Sequence, residues 1–326
     1  MKRNILYSIL ILALGVMLTT SCQTFTKAKW HPYSQEKSLG SLMELDYPFE
    51  TNWANLSGGE KIAYVDEGEG EYTLILIHGL GSYLPAWKMN IPELSKNYRV
   101  IAIDLPGYGK SSKMPHSGLM TYYAGVIKEF IEVLGLKNVV LGGHSMGGQI
   151  SMVTALHYPE HIDKIVLVAP AGFERFTEGQ KQWFRNVMTV RGVVLTTAED
   201  IITNLAYNFY NLPSEAEFMI TDRISMRSAS DFEAYSYAVV QSVNGMVNEA
   251  IINYLDQIEQ PALILFGAND NLIPNRFLNP GPTREIAQYG ASKIKNSKLV
   301  MVPKCGHFMM FEKPEVFNAE VKAFLK

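Results

Sequence analysis

Apolar residues along this chain form short continuous runs that alternate with helical patterns. The runs cover residues 72–77, 100–103, 139–141, 165–168, 262–266 and 299–302. Short apolar runs of this kind are typical of strands buried on both faces of a parallel sheet. The alternation predicts an α/β fold, a mostly parallel sheet covered by helices.

Between residues 173 and 256 the strand-like runs stop and helix start signals replace them. Three Ser or Thr residues are each followed three positions later by Glu: Thr196 with Glu199, Ser214 with Glu217, and Ser230 with Glu233. Each pair matches a capping box, which satisfies backbone N–H groups of the first helical turn. We therefore predict a helical cap over 173–256, inserted between the core segments 51–172 and 257–326.

The first 50 residues differ in kind from the rest. Lys2 and Arg3 precede an uncharged apolar run, 5–18, which is shorter than the ~20 residues that span a bilayer as a helix. This pattern is typical of a secretory signal peptide, predicted here over residues 1–22. An uncleaved membrane anchor is the alternative. Residues 23–50 show no sustained period, so we expect a tether and lead-in segment without regular structure.

The end of the apolar run carries Leu18-Thr19-Thr20-Ser21-Cys22, which resembles the lipobox of bacterial lipoproteins. Thr19 departs from that family, which usually has an aliphatic residue there. In the family the cysteine is diacylated and becomes the mature N-terminus. The resemblance implies lipidation of Cys22, contact with a membrane through the lipidated N-terminus, and a location in the bacterial cell envelope.

The composition limits the classes of molecule that this chain is expected to bind. The 326 residues are 47% hydrophobic and 19% charged, values typical of a globular chain that can bury a large core. The net charge is −3, and no Lys- or Arg-rich block is present, so nucleic acid is not an expected partner. The two cysteines, Cys22 and Cys305, form no C-x-x-C motif and no His/Cys cluster. We expect no metal and no cofactor.

The strongest chemical motif is Gly143-His144-Ser145-Met146-Gly147, which follows one apolar run and precedes a helical pattern. It matches the G-x-S-x-G nucleophile elbow, whose glycines allow a strand-to-helix turn too sharp for side chains. Ser145 is the predicted nucleophile. Elbow geometry is expected to point the neighbouring His144 side chain away from the site.

A serine nucleophile needs a base, and in hydrolases of this kind the acid and the histidine follow the serine in the chain. Four histidines precede the serine, and two more lie in or just after the helix that the elbow starts, so His307, just after the last apolar run, is the predicted base. Asp270 follows the run 262–266 and is the predicted acid, with Glu174 as the fallback. Asp104 precedes the serine and is interpreted as structural.

An oxyanion formed during acyl transfer needs two backbone N–H donors. The amide of Met146 lies at a helix N-terminus directly after the nucleophile, and Leu80 lies in the Gly-rich segment His78-Gly79-Leu80-Gly81 at the end of a strand run. Both are predicted oxyanion donors. Cys305 is not on an elbow, and a buried structural thiol is the expected role.

The motifs together resemble the α/β-hydrolase superfamily in their order and intervals. They are His78-Gly79, Asp104-Leu105-Pro106-Gly107-Tyr108-Gly109, Gly143 to Gly148, Gly267 to Asp270 and Gly306-His307. The resemblance implies an eight-stranded, mostly parallel sheet with a cap after the sixth strand. Serine at the elbow differs from the haloalkane dehalogenase and epoxide hydrolase branches, which use aspartate.

Among serine branches the chain is similar to carboxylesterases and monoacylglycerol lipases, which implies hydrolysis of a small-molecule ester with a small to medium acyl chain through an acyl-enzyme. Meta-cleavage C–C hydrolases and proline iminopeptidases are alternatives. The C–C hydrolases typically carry Trp after the catalytic histidine, where this chain has Phe308. A catalytically dead envelope protein that binds an apolar ligand is the non-enzymatic alternative.

The predicted cap is rich in large apolar side chains. They are Trp183, Phe184, Met188, Phe218, Met219, Met226 and Tyr235. Such residues either pack the cap onto the core or line an apolar acyl pocket, where flexible methionines would suit varied chains. Both readings remain open from the sequence.

Overall fold

The computed structural model describes residues 37–326 and contains one eight-stranded sheet. Its strands are β1 (Asn52–Asn55), β2 (Lys61–Glu67), β3 (Thr73–Ile77), β4 (Arg99–Ile103), β5 (Val139–His144), β6 (Lys164–Val168), β7 (Ala262–Gly267) and β8 (Ser297–Val302). The spatial order is β1-β2-β4-β3-β5-β6-β7-β8, and only the pairs β1–β2 and β2–β4 are antiparallel. The predicted α/β fold with a mostly parallel sheet is confirmed.

Eleven helices surround the sheet in the described part of the chain. They are α1 (Ile91–Leu94), α2 (Met120–Val133), α3 (Met146–His157), α4 (Glu178–Val187), α5 (Val190–Val194), α6 (Ala198–Tyr207), α7 (Glu217–Met226), α8 (Phe232–Asn248), α9 (Thr283–Lys293), α10 (Met309–Glu312) and α11 (Pro314–Phe324). Helices α4 to α8 form the segment between β6 and β7. A helix follows almost every parallel strand, which is the connection that parallel pairing requires.

Burial of the central strands explains why continuous apolar runs in the sequence predict them. Every residue of β3, β5 and β7 is buried, so these strands lack the polar alternation of a half-exposed sheet. The pattern predicts no strand before residue 72, yet β1 and β2 occur there. They are only partly buried and carry Asn, Lys, Asp and Glu, so a search for continuous apolar runs does not find them.

The register of the parallel strands gathers their carboxyl ends at one edge. Ile77 at the end of β3 lies beside Gly143 of β5, and His144 lies beside Val168 at the end of β6. The loop after β3, the elbow after β5 and the loop after β7 therefore meet at this edge, where open α/β sheets bind their ligands.

Helix starts in the cap differ from the predicted capping boxes. Thr197, not Thr196, caps α6 by accepting a hydrogen bond from the Asp200 amide, and α7 begins at Glu217 after a 3₁₀ turn at Ser214–Ala216. The hydroxyl of Ser230 instead donates to the Gly40 carbonyl at 2.8 Å. Tertiary contacts compete with local caps for these hydroxyls. The capping motifs therefore indicated where the helices lie but not the residue at which each helix begins.

The lead-in segment is ordered where the structure describes it, contrary to the expectation. A 3₁₀ turn at Leu42–Glu44 is capped by Ser41, and the Leu42 amide donates to the Asp231 carboxylate at 2.9 Å. Leu39, Leu42 and Leu45 are buried in the main hydrophobic core. Leucine at every third position gives this turn one apolar face. That face is enough to bind the segment to the core, although the sequence has no longer hydrophobic period there.

Two expectations concern residues before 37. The predicted signal peptide and Cys22 lie outside the described residues. Within residues 37–326, no helix combines the length and apolar character needed to cross a bilayer.

Candidate active site

Ser145 lies at a sharp turn between β5 and α3, with φ 53° and ψ −114°. A non-glycine residue in this region carries strain of about 1–3 kcal/mol, which the surroundings must hold in place. The Ser145 amide donates to the Val168 carbonyl at 2.9 Å, and its carbonyl accepts from Ala171 at 3.0 Å. A Cβ on Gly143 or Gly147 would collide with neighbouring backbone, so both glycines of the elbow are required sterically.

His307 and Asp270 form a buried pair beside this turn. His307 Nδ1 lies 2.7 Å from Asp270 Oδ2, and the two side chains are 3% and 0% exposed. Asp270 Oδ1 accepts the amides of Leu272 at 2.7 Å and Ile273 at 3.1 Å. A carboxylate can only accept, so Nδ1 carries the proton and Nε2 remains available as a base. Asp270 thus fixes both the tautomer and the ring of His307.

His144 links the elbow to His307, so its side chain does not point away from the site as expected. Its ring centroid lies 4.7 Å from that of His307, and its Nε2 lies 3.1 Å from the His307 carbonyl oxygen. Burial lowers the pKa of His144 well below its ordinary value, so the ring is neutral. Because a carbonyl only accepts, Nε2 is the protonated atom and donates to it.

Ser145 and His307 lie at the same edge of the sheet in the described structure. The described residues include no hydrogen bond from the Ser145 hydroxyl to His307, whose neighbour is the adjacent His144 ring. Such hydrogen bonds are often long in unliganded enzymes and tighten with substrate.

Leu80 and Met146 present two backbone amides near Ser145. A Cβ on Gly79 would lie 3.2 Å from the Ser145 Cβ, so the loop after β3 contacts the elbow. Within residues 37–326, neither the Leu80 nor the Met146 amide donates to another protein group. Both amides are therefore free for a ligand oxygen.

His78 orients the Leu80 amide. Its Nδ1 lies 2.8 Å from the Gly79 carbonyl, and its Nε2 accepts from the Leu105 amide at 3.1 Å. Burial lowers the pKa of His78, which favours this neutral, Nδ1-protonated form. The Gly79 carbonyl and the Leu80 N–H belong to one planar peptide and point in opposite directions, so fixing the carbonyl aims the N–H.

Comparison with known proteins agrees with this geometry. The family described as alpha/beta hydrolase fold matches residues 72–314. The chain belongs to this family. An acetyltransferase component of the acetoin cleaving system from Pseudomonas putida is 28% identical over 79% of this chain and 65% of its own length, so this chain spans only about two thirds of that relative.

Two further relatives have names that refer to specific chemistry. A 2-hydroxy-6-oxononadienedioate/2-hydroxy-6-oxononatrienedioate hydrolase from Paraburkholderia phymatum is 27% identical over 83% of this chain and 93% of its own. The crystal structure of a membrane phospholipase A, described as a bacterial virulence factor, has a TM-score of 0.68 at 26% identity and covers 100% of this chain and 98% of that one.

The cap places a guanidinium beside the loop after β3. Arg223 of α7 reaches the Gly81 carbonyl at 3.4 Å and lies 4.6 Å from the Tyr235 ring. Burial lowers its pKa to about 10, so it stays charged at neutral pH. Among the described residues no carboxylate lies within ion-pair distance of it; the adjacent Asp222 accepts the Tyr83 hydroxyl instead. No local sequence pattern points to Arg223.

The apolar cap residues divide into groups. Met219, Met226 and Tyr235 are buried in the main core, whereas Trp183 is 42% exposed. Phe218 packs against the Tyr83 ring, 6.2 Å between centroids. Cap-to-core packing therefore accounts for part of the set.

The remaining candidates have structural partners. Glu174, the fallback acid, accepts from the Asn275 amide at 2.8 Å and from the Asn279 side chain at 3.1 Å rather than from His307. Asp104 accepts from the Leu84 and Lys110 amides, both at 2.7 Å, and from a tyrosine hydroxyl. Cys305 is buried, which raises the pKa of its thiol. Within residues 37–326 no group of three metal-binding side chains occurs.

Proposed function

We propose that this chain is a serine hydrolase that cleaves carboxylic esters through an acyl-enzyme on Ser145. The observation that carries the proposal is the strained elbow serine at the same sheet edge as His307, whose ring is held by the buried Asp270. Strain of this kind persists where function needs it, and it lifts the hydroxyl clear of the backbone.

The proposed reaction has two acyl-transfer steps. His307 Nε2 takes the Ser145 proton as the hydroxyl oxygen attacks the ester carbonyl, and Asp270 stabilises the imidazolium. The Leu80 and Met146 amides bind the oxyanion, each contributing ~10²–10³-fold to the rate in comparable enzymes. His307 then protonates the leaving alcohol, and water, activated by the same histidine, releases the acid.

The proposed substrate class is an ester with a small to medium acyl chain, including monoacylglycerols. Support comes from the large apolar side chains of the cap and from the similarity to a membrane phospholipase A over the whole chain. Each buried methylene is worth roughly 0.8 kcal/mol, so kcat/KM should rise severalfold for each two-carbon step until the site is full.

A panel of acyl esters of graded length tests both claims. Ser145→Ala should abolish turnover and covalent labelling by a fluorophosphonate, and His307→Ala should lower kcat by ~10³-fold or more. A wild-type protein that binds apolar ligands as well as Ser145→Ala but cleaves no ester would instead indicate a binding protein.

A second candidate is hydrolysis of a C–C bond in an acidic diketone. Arg223, charged and without a carboxylate partner among the described residues, favours an anionic substrate group, and a dioate hydrolase is among the relatives. Comparing a neutral ester with the same ester bearing a terminal carboxylate, in wild type and Arg223→Met, separates the candidates. A loss confined to the carboxylate substrate favours the second.

We propose further that the chain is exported and anchored by a lipid on Cys22. The charged start, the apolar run and Ser21-Cys22 support this. After expression in a bacterium, the wild-type protein should partition into the detergent phase. The Cys22→Ala variant should either move to the aqueous phase or retain its signal peptide. A soluble wild type with its mature N-terminus elsewhere would reject the anchor.

A further inference from the structure

The loop that carries His307 lies directly beneath a segment of the cap. This segment, residues 208–211, follows α6 and is called the cap strap here. The Asn208 carbonyl accepts the amides of His307 at 2.7 Å and Phe308 at 3.3 Å. The Phe209 ring stacks on Phe308, with 5.2 Å between centroids. The backbone of the proposed base is therefore bonded to the cap.

Glu312 of α10 joins the same two segments from the other side. Its Oε2 accepts the Gly306 amide at 2.7 Å and the Tyr210 amide at 3.1 Å, and its Oε1 accepts the Asn211 amide at 2.8 Å. One carboxylate thus binds three backbone N–H groups, one next to His307 and two in the cap strap. Charge-assisted hydrogen bonds of this kind are stronger than neutral ones and restrict geometry more.

The approach of the two segments is too close for other side chains. A Cβ on Gly306 would lie 2.6 Å from the Tyr210 nitrogen and 2.7 Å from the Asn208 carbonyl oxygen. Among the described residues, Glu312 forms no ion pair with Lys or Arg, so its charge is satisfied by the backbone groups. The Cys305 thiol also faces this carboxylate, which adds to burial in raising the pKa of the thiol.

We infer that Glu312 is a positioning residue for the base, clamping the Gly306–His307 backbone to the cap strap so that the ring of His307 stays bonded to Asp270 at the edge of the sheet that carries Ser145. The inference rests on the proposed function, because it assigns Glu312 to the histidine of that mechanism. Loss of the clamp frees Gly306 and the strap together, and a shift of the His307 backbone then loosens its bond to Asp270.

Glu312→Gln is the sharpest test, because it keeps the shape but replaces one accepting oxygen with an NH₂ group that cannot accept. We expect kcat for ester hydrolysis to fall about 10-fold or more while KM changes less than about twofold, since substrate contacts are untouched. Glu315→Gln, at an exposed carboxylate three residues later, is the matched control and should behave as wild type.

A pH profile and a proton spectrum separate positioning from simple stability. Asp270 stabilises the charged form of His307, so a loosened pair should move the acid limb of kcat/KM in Glu312→Gln to lower pH. The downfield proton resonance of the His307 Nδ1–H should shift or broaden. Glu312→Asp, which keeps the charge, should recover part of the wild-type signal.

Two outcomes have different meanings. A variant with a lower melting temperature but wild-type kcat, pH profile and Nδ1–H resonance would overturn the inference and leave Glu312 a stability residue. If wild type itself cleaves no ester, the proposed function fails, yet the Nδ1–H resonance still decides whether Glu312 orders the His307–Asp270 pair.

Discussion

At the scale of single residues, the site is built by backbone geometry as much as by side chains. Ser145 is held at positive φ by glycines on both sides and by hydrogen bonds to β6 and the loop after it. His307 has its ring fixed by Asp270, its carbonyl by His144 and its amide by Asn208. The positions of Ser145 and His307 therefore depend on neighbouring backbone and side-chain groups.

The strain at Ser145 has a measurable consequence. Glycine adopts positive φ without a steric cost, so Ser145→Gly should raise the free energy of unfolding relative to Ser145→Ala by about 1 kcal/mol, the lower end of the strain range. Both variants should be inactive. Chemical denaturation of the two variants measures the difference, and an Ala variant at least as stable as the Gly variant would show that the turn is not strained.

At the scale of elements, short segments join the cap to the core. The lead-in turn Leu42–Glu44 bonds to Asp231 just before α8, and the cap strap bonds to the His307 loop. By contrast, α4 and α5 have no fully buried residue. The cap is thus hydrogen-bonded to the core at these two places, whereas its first two helices contribute no buried residue.

The lead-in turn should contribute strongly to stability. Leu42 is fully buried, so Leu42→Ala should lower the free energy of unfolding by about 2–5 kcal/mol through lost burial and a cavity. Met43 is 47% exposed in the same turn, so Met43→Ala should have an effect below about 0.5 kcal/mol. Equal denaturant midpoints for the two variants would mean that the turn is not part of the folded core.

At the scale of the whole molecule, buried neutral histidines link stability to pH. Burial lowers the pKa values of His78, His116 and His144 in the folded state. Histidines of the unfolded chain have pKa values near ~6.5, so below this pH they bind protons that the same histidines do not bind in the folded chain. This stabilisation is complete above that pH and is lost as the pH falls below it.

The free energy of unfolding should therefore decrease as the pH is lowered from 7.5 to 5.5. Each histidine contributes at most about 1.4 kcal/mol per pH unit within this window. Denaturation curves at several pH values measure the slope of the free energy of unfolding against pH. His144→Phe should reduce this slope by the contribution of about one bound proton. A slope unchanged by that substitution would show that His144 can be charged in the folded protein.

The sequence by itself determined the central strands, the helical character of the cap and the candidate nucleophile, acid and base. These depend on short-range properties: continuous apolar runs mark strands buried on both faces, and Gly-x-Ser-x-Gly encodes a turn that few other residues can form. The α/β fold follows from their alternation along the chain.

Only the tertiary structure decided the roles of Glu312, Arg223, His144 and the lead-in turn. Glu312 meets residues about 100 positions earlier, and Leu42 meets a carboxylate 189 positions later. No local period records such contacts, because a carboxylate that binds backbone amides looks the same in sequence as one on the surface. Its function exists only once folding brings the distant amides to it.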